Sequence, residues 1–255
     1  VNLVASLIVK NELGRYLKPC IAHLREFCDL IAVVDDGSTD GSAEWLLEQG
    51  DEQLHVLARD AKDGFFAGHE GHRRNELLKW TFQLRPDWVL AIDADEFIAD
   101  GQKLRDYMGT PRPVGTVTME EVWKVQTREL SVRADGGWRP HDIPIFYRAS
   151  GRRFGGRWVI PNRELACGRE PMAVRREWGK ARKTETEILH FGWAASDPEK
   201  RRPRYDRYVT ADGGKFHRNS HLDSIMWPDA DVKLLPRGWP TALLPYRAAI
   251  LKGVK

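Results

Sequence analysis

The chain is poor in the features that define several large protein classes. It has only three cysteines, Cys20, Cys28 and Cys167, odd in number and without a C-x-x-C pair. Cys20 and Cys28 fall eight apart in a helical pattern, about 12 Å of rise, too far for a disulfide. A disulfide-stapled scaffold is thereby excluded, and the thiols read as buried structural groups in a reducing compartment. No apolar run approaches the roughly 18 residues of a membrane span. No charged leader with a cleavage site is visible, since the first residues read as a strand-like run. The expectation is a soluble, cytoplasmic protein. Repeats, low-complexity tracts and Ser/Gly linkers are missing too, which sets aside repeat arrays and long disordered regions.

What remains is ordinary globular material: 255 residues, 42% hydrophobic and 30% charged, enough for one large α/β domain. The net charge of +3 is unevenly placed, since 17 Lys/Arg stand against 9 Asp/Glu from Arg152 to Arg218. That surplus suits an anionic ligand such as a diphosphate, a nucleic-acid acceptor, or simply a solvated basic face.

Short apolar runs alternate with helical patterns over the first hundred residues, the signature of βαβ units around a parallel sheet. Strands are expected at Leu3 to Val9, Leu30 to Val34, Leu54 to Leu57 and Trp88 to Ile92. Helices are expected around Leu13 to Cys28, from a cap at Asp40 or Ser42, and from His69 to Leu84. Beyond Pro111, strands are expected at Val114 to Val122, Leu130 to Val132, Ile143 to Arg148 and Ile188 to Phe191. Pro198 to Thr210 reads as a basic helix that Pro203 kinks or shortens, and Trp239 to Lys255 as a final helix. The organisation expected is a nucleotide-binding half at 1–110, a second half of the same domain at 111–215 and a C-terminal extension at 216–255.

Asp93-Ala94-Asp95 follows the fourth strand. In an extended segment the two carboxylates share one face, where they repel unless a cation or donors intervene. A hard divalent ion with diphosphate oxygens satisfies that geometry, and ligands of open α/β sheets gather at the carboxyl ends of strands. Alone, the pattern also fits an acidic turn before Gly101. Asp35-Asp36-Gly37-Ser38-Thr39-Asp40-Gly41-Ser42 ends the second strand in a glycine-rich turn. A carboxylate there can accept the imide N–H of uracil or a ribose hydroxyl, or serve only the turn.

Together with Leu7-Ile8-Val9-Lys10-Asn11-Glu12 and Arg74-Asn75, these segments resemble family 2 glycosyltransferases of the GT-A fold, in order and spacing from Leu3 to Glu96. The resemblance implies an α/β GT-A domain, a mostly parallel sheet flanked by helices with a C-terminal helical extension. It implies a nucleotide-sugar donor, UDP-sugar favoured, and Mn²⁺ or Mg²⁺. The donor contacts it implies are Val9, Asn11, Glu12, Asp36, Arg74, Asp93, Ala94 and Asp95. Lys200 and Arg204 in the basic helix are further candidates for the diphosphate.

The second half resembles bacterial lipopolysaccharide inner-core glucosyltransferase-like proteins at "PNREL" and "ILHFGW". By that resemblance Asp95 and His190 hold the metal, and Glu164 is the carboxylate that activates the acceptor. Arg163 stands where those proteins often carry His. Glu120, Glu121 and Asp142 are rival bases, and core or salt-bridge roles for His190 and Glu164 stay open. Gly151 to Gly156 and Asp212 to Arg218 are candidate mobile loops. Trp123, Trp138, Trp158, Trp178 and Trp193 suit a core or sugar stacking. The acceptor is a saccharide, a natural product or a modified DNA base. The rival functions are a nucleotidyltransferase acting on sugar phosphates and a non-catalytic nucleic-acid-binding module.

Overall fold

The computed structural model describes residues 1–60, 70–149, 178–195, 197–211 and 221–254. Its first half runs β1 (Leu3–Val9), α1 (Leu17–Phe27), β2 (Leu30–Asp35), α2 (Ser42–Glu48), β3 (Leu54–Ala58), α3 (Glu70–Gln83) and β4 (Trp88–Ala91). Six of the seven β1 residues are buried, as expected of a strand covered on both faces. Leu17, Cys20, Ile21, Leu24 and Phe27 form the buried stripe of α1. Cys20 and Cys28 are free and buried, as their spacing required.

The second half runs β5 (Glu96–Ile98), α4 (Gly101–Met108), β6 (Val114–Val125), β7 (Glu129–Arg133), β8 (His141–Arg148), β9 (Arg182–His190), α5 (Pro198–Ala211), β10 (Leu234–Gly238) and α6 (Arg247–Gly253). The strands form one mixed sheet in the order β10-β7-β6-β8-β4-β1-β2-β3, with β9 joined to β5 and β6. β3, β2, β1 and β4 run parallel and make the α/β core that the βαβ pattern implied. β8 joins β4 antiparallel and begins the other half. The chain builds outward from β1 through β2 to β3, then returns to β4 on the other side of β1. That reversal opens a crevice at the carboxyl ends of β1 and β4, where ligands of such sheets bind.

Several elements depart from the pattern reading. β9 starts at Arg182, six residues before the apolar run, because its inward positions Thr184 and Thr186 are buried but polar. β10 went unread because it contains Pro236, which an edge strand tolerates. The tail is a 3₁₀ turn at Thr241–Tyr246 followed by the short α6, with Pro245 inside the turn. Leu243 and Ile250 bury their side chains in the main core, so this tail closes the domain. Gly41, at φ 90°, takes the N-cap position of α2 in place of Asp40 or Ser42.

A second cluster holds Trp123, Trp138, Trp193, Ile225 and Val232. The Arg133 and Arg201 guanidiniums lie 4.5 Å and 4.2 Å from the Trp123 ring centre. These three tryptophans are therefore core rather than sugar-stacking platforms; Trp158 lies outside the described residues. Among the described residues no helix is long and apolar enough to cross a membrane.

Candidate active site

Three turns meet at the crevice. In the turn after β2, Asp35 is spent on its own loop, accepting from the Ser38 N–H at 2.8 Å and the Ser38 hydroxyl at 2.6 Å. Asp36 is fully buried. Its Oδ1 lies 2.8 Å from Arg73 Nε and its Oδ2 3.7 Å from Lys10 Nζ. The Val9 carbonyl accepts from the Asp36 N–H, locking the end of β1 to this turn.

Asn11 is held at φ 57° by two bonds, its N–H to Ser38 Oγ and its Oδ1 from the Thr39 N–H. The Glu12 and Leu13 N–H groups both donate to Ser42 Oγ. The Glu12 carboxylate is 3.0 Å from Arg15 Nη1.

The turn after β4 corrects the shared-face picture of Asp93 and Asp95. The Asp93 N–H donates to the buried Glu96 carboxylate at 2.9 Å, so the segment is a turn and not an extended strand end. Asp93 faces Arg74 at 3.3 Å. Ala94 is buried. Asp95 points elsewhere: Oδ2 accepts from Arg204 Nη1 at 2.7 Å, and Oδ1 lies 3.6 Å from His190 Nε2.

Strand register brings His190 there. β5 places Glu96 opposite His190, one residue after Asp95, and β6 places Glu121 opposite the same histidine. His190 Nδ1 donates to Glu121 Oε2 at 2.7 Å, which leaves Nε2 turned toward Asp95. Gly192 makes room, since a Cβ there would collide with His190 Nε2 and Cε1 and press on Arg204. Burial by itself would lower the His190 pKa, but the Glu121 and Asp95 carboxylates outweigh it and hold the value well above the ordinary one. Burial likewise opposes ionisation of Asp95, yet Arg204 and His190 keep its pKa well below the usual carboxylate range.

A carboxylate oxygen and an imidazole nitrogen facing each other, with the second imidazole nitrogen fixed by Glu121, are a donor set suited to Mn²⁺ or Mg²⁺. Among the described residues no group of three or more His, Cys, Asp or Glu forms a complete metal cage. Asp95 and His190 supply two ligands at most, so an ion held by them would need further oxygens from a bound ligand.

Most of the other sequence candidates have clear positions. Lys200 is exposed, one turn before Arg204 on α5. Arg201 is buried and structural, donating to the Trp193 and Ala195 carbonyls and to Asp229. Glu164, Arg163 and both glycine-rich loops lie outside the described residues. The three rival bases are committed elsewhere. Glu121 holds His190. Glu120 pairs with Arg237, and Asp142 accepts from Thr118 at 2.8 Å and sits 3.2 Å from Lys183.

Sequence reasoning missed Glu121 as the histidine's partner, Gly192 as the gap beside it, and Arg15, whose Nη2 donates to the Gly192 carbonyl. Gly192 follows His190 closely enough to have been suspected. The Glu121 pairing needed the β6–β9 register, which no local signal carries.

Residues 6–156 match the model of the family described as Glycosyl transferase family 2. No curated protein sequence matches the chain closely enough to count as a relative. Similar solved structures include HddC from Yersinia pseudotuberculosis, 12% identical at a TM-score of 0.34, covering 58% of this chain and 77% of that one. A 4-diphosphocytidyl-2C-methyl-D-erythritol synthase is 14% identical at a TM-score of 0.40, covering 83% of this chain and 98% of that one.

Proposed function

The chain belongs to glycosyl transferase family 2, and we propose that it moves a sugar from a nucleotide-sugar donor, UDP-sugar favoured, to an acceptor hydroxyl, using Mn²⁺ or Mg²⁺ and inverting the anomeric carbon. The observation that carries the metal reading is the facing pair Asp95 and His190, with Glu121 fixing the imidazole. When bound, the ion neutralises charge on the leaving diphosphate.

The chain's own groups do the rest. Asp36, set in place by Lys10 and Arg73, accepts from the base or ribose. The Asn11 and Glu12 loop lies beside it, tied to the turn after β2 through Ser38, Thr39 and Ser42. Arg74 steadies the turn that carries Asp93, Ala94 and Asp95. Arg204, with Lys200 one turn earlier on α5, adds positive charge on the diphosphate side. Glu164 takes the proton of the acceptor hydroxyl as its oxygen bonds to the anomeric carbon and the bond to the diphosphate breaks. The assignment rests on the resemblance around "PNREL", with Glu120, Glu121 and Asp142 each engaged with other side chains. The acceptor is a saccharide, a natural product or a modified DNA base.

A nucleotidyltransferase would offer the backbone N–H groups after β1 to phosphates. Here those of Asn11, Glu12 and Leu13 are bonded to Ser38 and Ser42. A thermal-shift panel of nucleotides and nucleotide-sugars tests the proposal, because ligands of the native state raise its melting temperature. UDP should stabilise the protein with Mn²⁺ present and not in chelator. Equal stabilisation in chelator removes the metal role, and a panel without any response removes the donor reading.

A further inference from the structure

Asp95 uses its two carboxylate oxygens on two different sides. One faces His190, and the other accepts from Arg204 Nη1 at 2.7 Å. The same Nη1 donates to the Gly192 carbonyl at 3.0 Å, and the guanidinium lies over Trp193, 5.0 Å from the ring centre. Arg15 reaches that carbonyl from elsewhere in the chain, its Nη2 donating at 3.3 Å while its Nη1 pairs with Glu12. Two guanidiniums thus converge on one backbone oxygen beside a buried carboxylate.

We propose that Arg204 is the resident counter-ion of Asp95 in the metal-free protein, that a divalent ion displaces it, and that the displaced guanidinium joins Arg15 to clamp the donor's diphosphate. This rests on the metal reading above. A buried carboxylate stays ionised only with cations close by; at Asp95 the imidazole of His190 faces one oxygen at 3.6 Å and Arg204 makes the shorter contact, 2.7 Å, to the other. A divalent ion bound at Asp95 would stand next to that guanidinium, and like charges so close repel strongly in a partly buried site. Arg204 leaves Asp95 without leaving the site, because Trp193 offers its ring face to a guanidinium and α5 is held in place by the buried Arg201. Arginine pairs suit phosphate oxygens, which accept two parallel N–H bonds from each fork.

Metal and diphosphate therefore bind cooperatively. Metal alone must turn Arg204 away from its carboxylate, and the diphosphate supplies the replacement anion. The coupling is reciprocal, so each ligand raises the affinity of the other by the same factor.

Calorimetric or EPR titration of Mn²⁺, without nucleotide and with saturating UDP, measures that factor. The wild-type chain should bind Mn²⁺ about fivefold or more tightly with UDP present. Arg204→Gln should bind Mn²⁺ alone more tightly than wild type, bind UDP less tightly at saturating Mn²⁺, and bring the coupling factor toward one. Arg15→Gln should lose UDP affinity without a comparable gain in metal affinity, since it is bonded to Glu12 and its charge bears on Asp95 less than that of Arg204. Arg204→Lys, which keeps the charge and loses the fork, should move both affinities the same way by less, and it carries the test if Arg204→Gln does not fold.

An Arg204→Gln protein with normal melting temperature and unchanged or weaker Mn²⁺ binding overturns the exchange. So does an Arg15→Gln protein that gains as much metal affinity, because general loss of positive charge would then explain both. A wild-type chain that binds neither Mn²⁺ nor UDP overturns the donor reading along with it.

Discussion

His190 and Glu121 are direct register partners across the β6–β9 ladder, joined by a 2.7 Å hydrogen bond from Nδ1 to the carboxylate. The bond sets which imidazole nitrogen is available to a metal, and carboxylate partners of this kind also raise the basicity of the ligand. Glu121→Gln keeps the size of the side chain and removes the charge. Metal affinity in the presence of UDP should fall roughly 10–100-fold, the usual effect of losing such a partner. Calorimetry checks it, and an unchanged affinity would return Glu121 to a purely structural role.

On the proposed metal reading, ion and proton compete for His190. Its pKa is held well above the ordinary value of about 6.5 by Glu121 and Asp95 against the effect of burial. A group raised in this way stabilises the metal-free fold below its unfolded pKa, and that contribution is lost as pH rises through the folded value. Metal needs the neutral ring, so Mn²⁺-dependent stabilisation by UDP should grow as pH rises above 6.5. Thermal shifts at pH 6, 7 and 8 measure the trend, and His190→Ala should flatten it. A response already complete at pH 6 would remove His190 from the ligand set.

Asp36 should report on base and ribose binding independently of the metal. Asp36→Ala leaves Arg73 and Lys10 without the carboxylate that holds them, so a modest loss of melting temperature should accompany it. UDP affinity at saturating Mn²⁺ should drop by an order of magnitude or so, the effect of losing one charged hydrogen bond. Unaltered affinity, read by calorimetry, would move the base site elsewhere.

Glu164→Gln separates chemistry from binding. Donor affinity should survive while transfer to the acceptor drops roughly 10²–10⁴-fold, the usual size of general-base catalysis. If melting temperature and affinity fall together with turnover per folded molecule kept, Glu164 is a salt-bridge partner. Asp142→Asn and Glu120→Gln run alongside decide between the rival bases, and normal turnover in all three variants would point to a retaining reaction, which the anomeric configuration of the product decides.

His23 gives a pH test of stability remote from the site. Burial lowers its pKa, while its Nε2–H donates to the Ile98 carbonyl at 2.9 Å and Glu26 lies 3.8 Å away. The unfolded ring titrates near 6.5, so the neutral-state stabilisation is present above that pH and lost as pH falls through the lower folded value. Urea midpoints between pH 7.5 and 5 should decline less for His23→Gln than for wild type. Parallel declines would assign the acid sensitivity to other groups.

The first half of the fold was legible because its elements are local. Leu3 to Val9 and Leu30 to Val34 are apolar runs that end in polar turns, and α1 shows its buried stripe at helical spacing. The β9 extension was hidden because Thr184 and Thr186 face inward without being apolar. The resemblance singles out Asp95 and His190, and the fold places them 3.6 Å apart. Their partners were not legible, since Arg204 and Glu121 lie 109 and 69 residues from them in sequence. The Asp93-Ala94-Asp95 geometry misled for a related reason: Glu96 folds the segment into a turn, and no alternation rule applies inside a turn.

The placement of β9 also fixes when the site comes into being. β9 is held at one end by β5 and along its length by β6, two pairings that close long stretches of chain. Such contacts form late, because the entropy of closing a long loop must be met before any bond rewards it. The parallel strands β1 to β4 are nearer neighbours in sequence, apart from the return of β4 to β1. A refolding chain must therefore close those stretches before Asp95 and His190 can meet. On the metal reading proposed above, the two side chains that hold the ion come from segments that the β5–β9 pairing joins, so the pair is a product of tertiary register and of no local stretch of sequence.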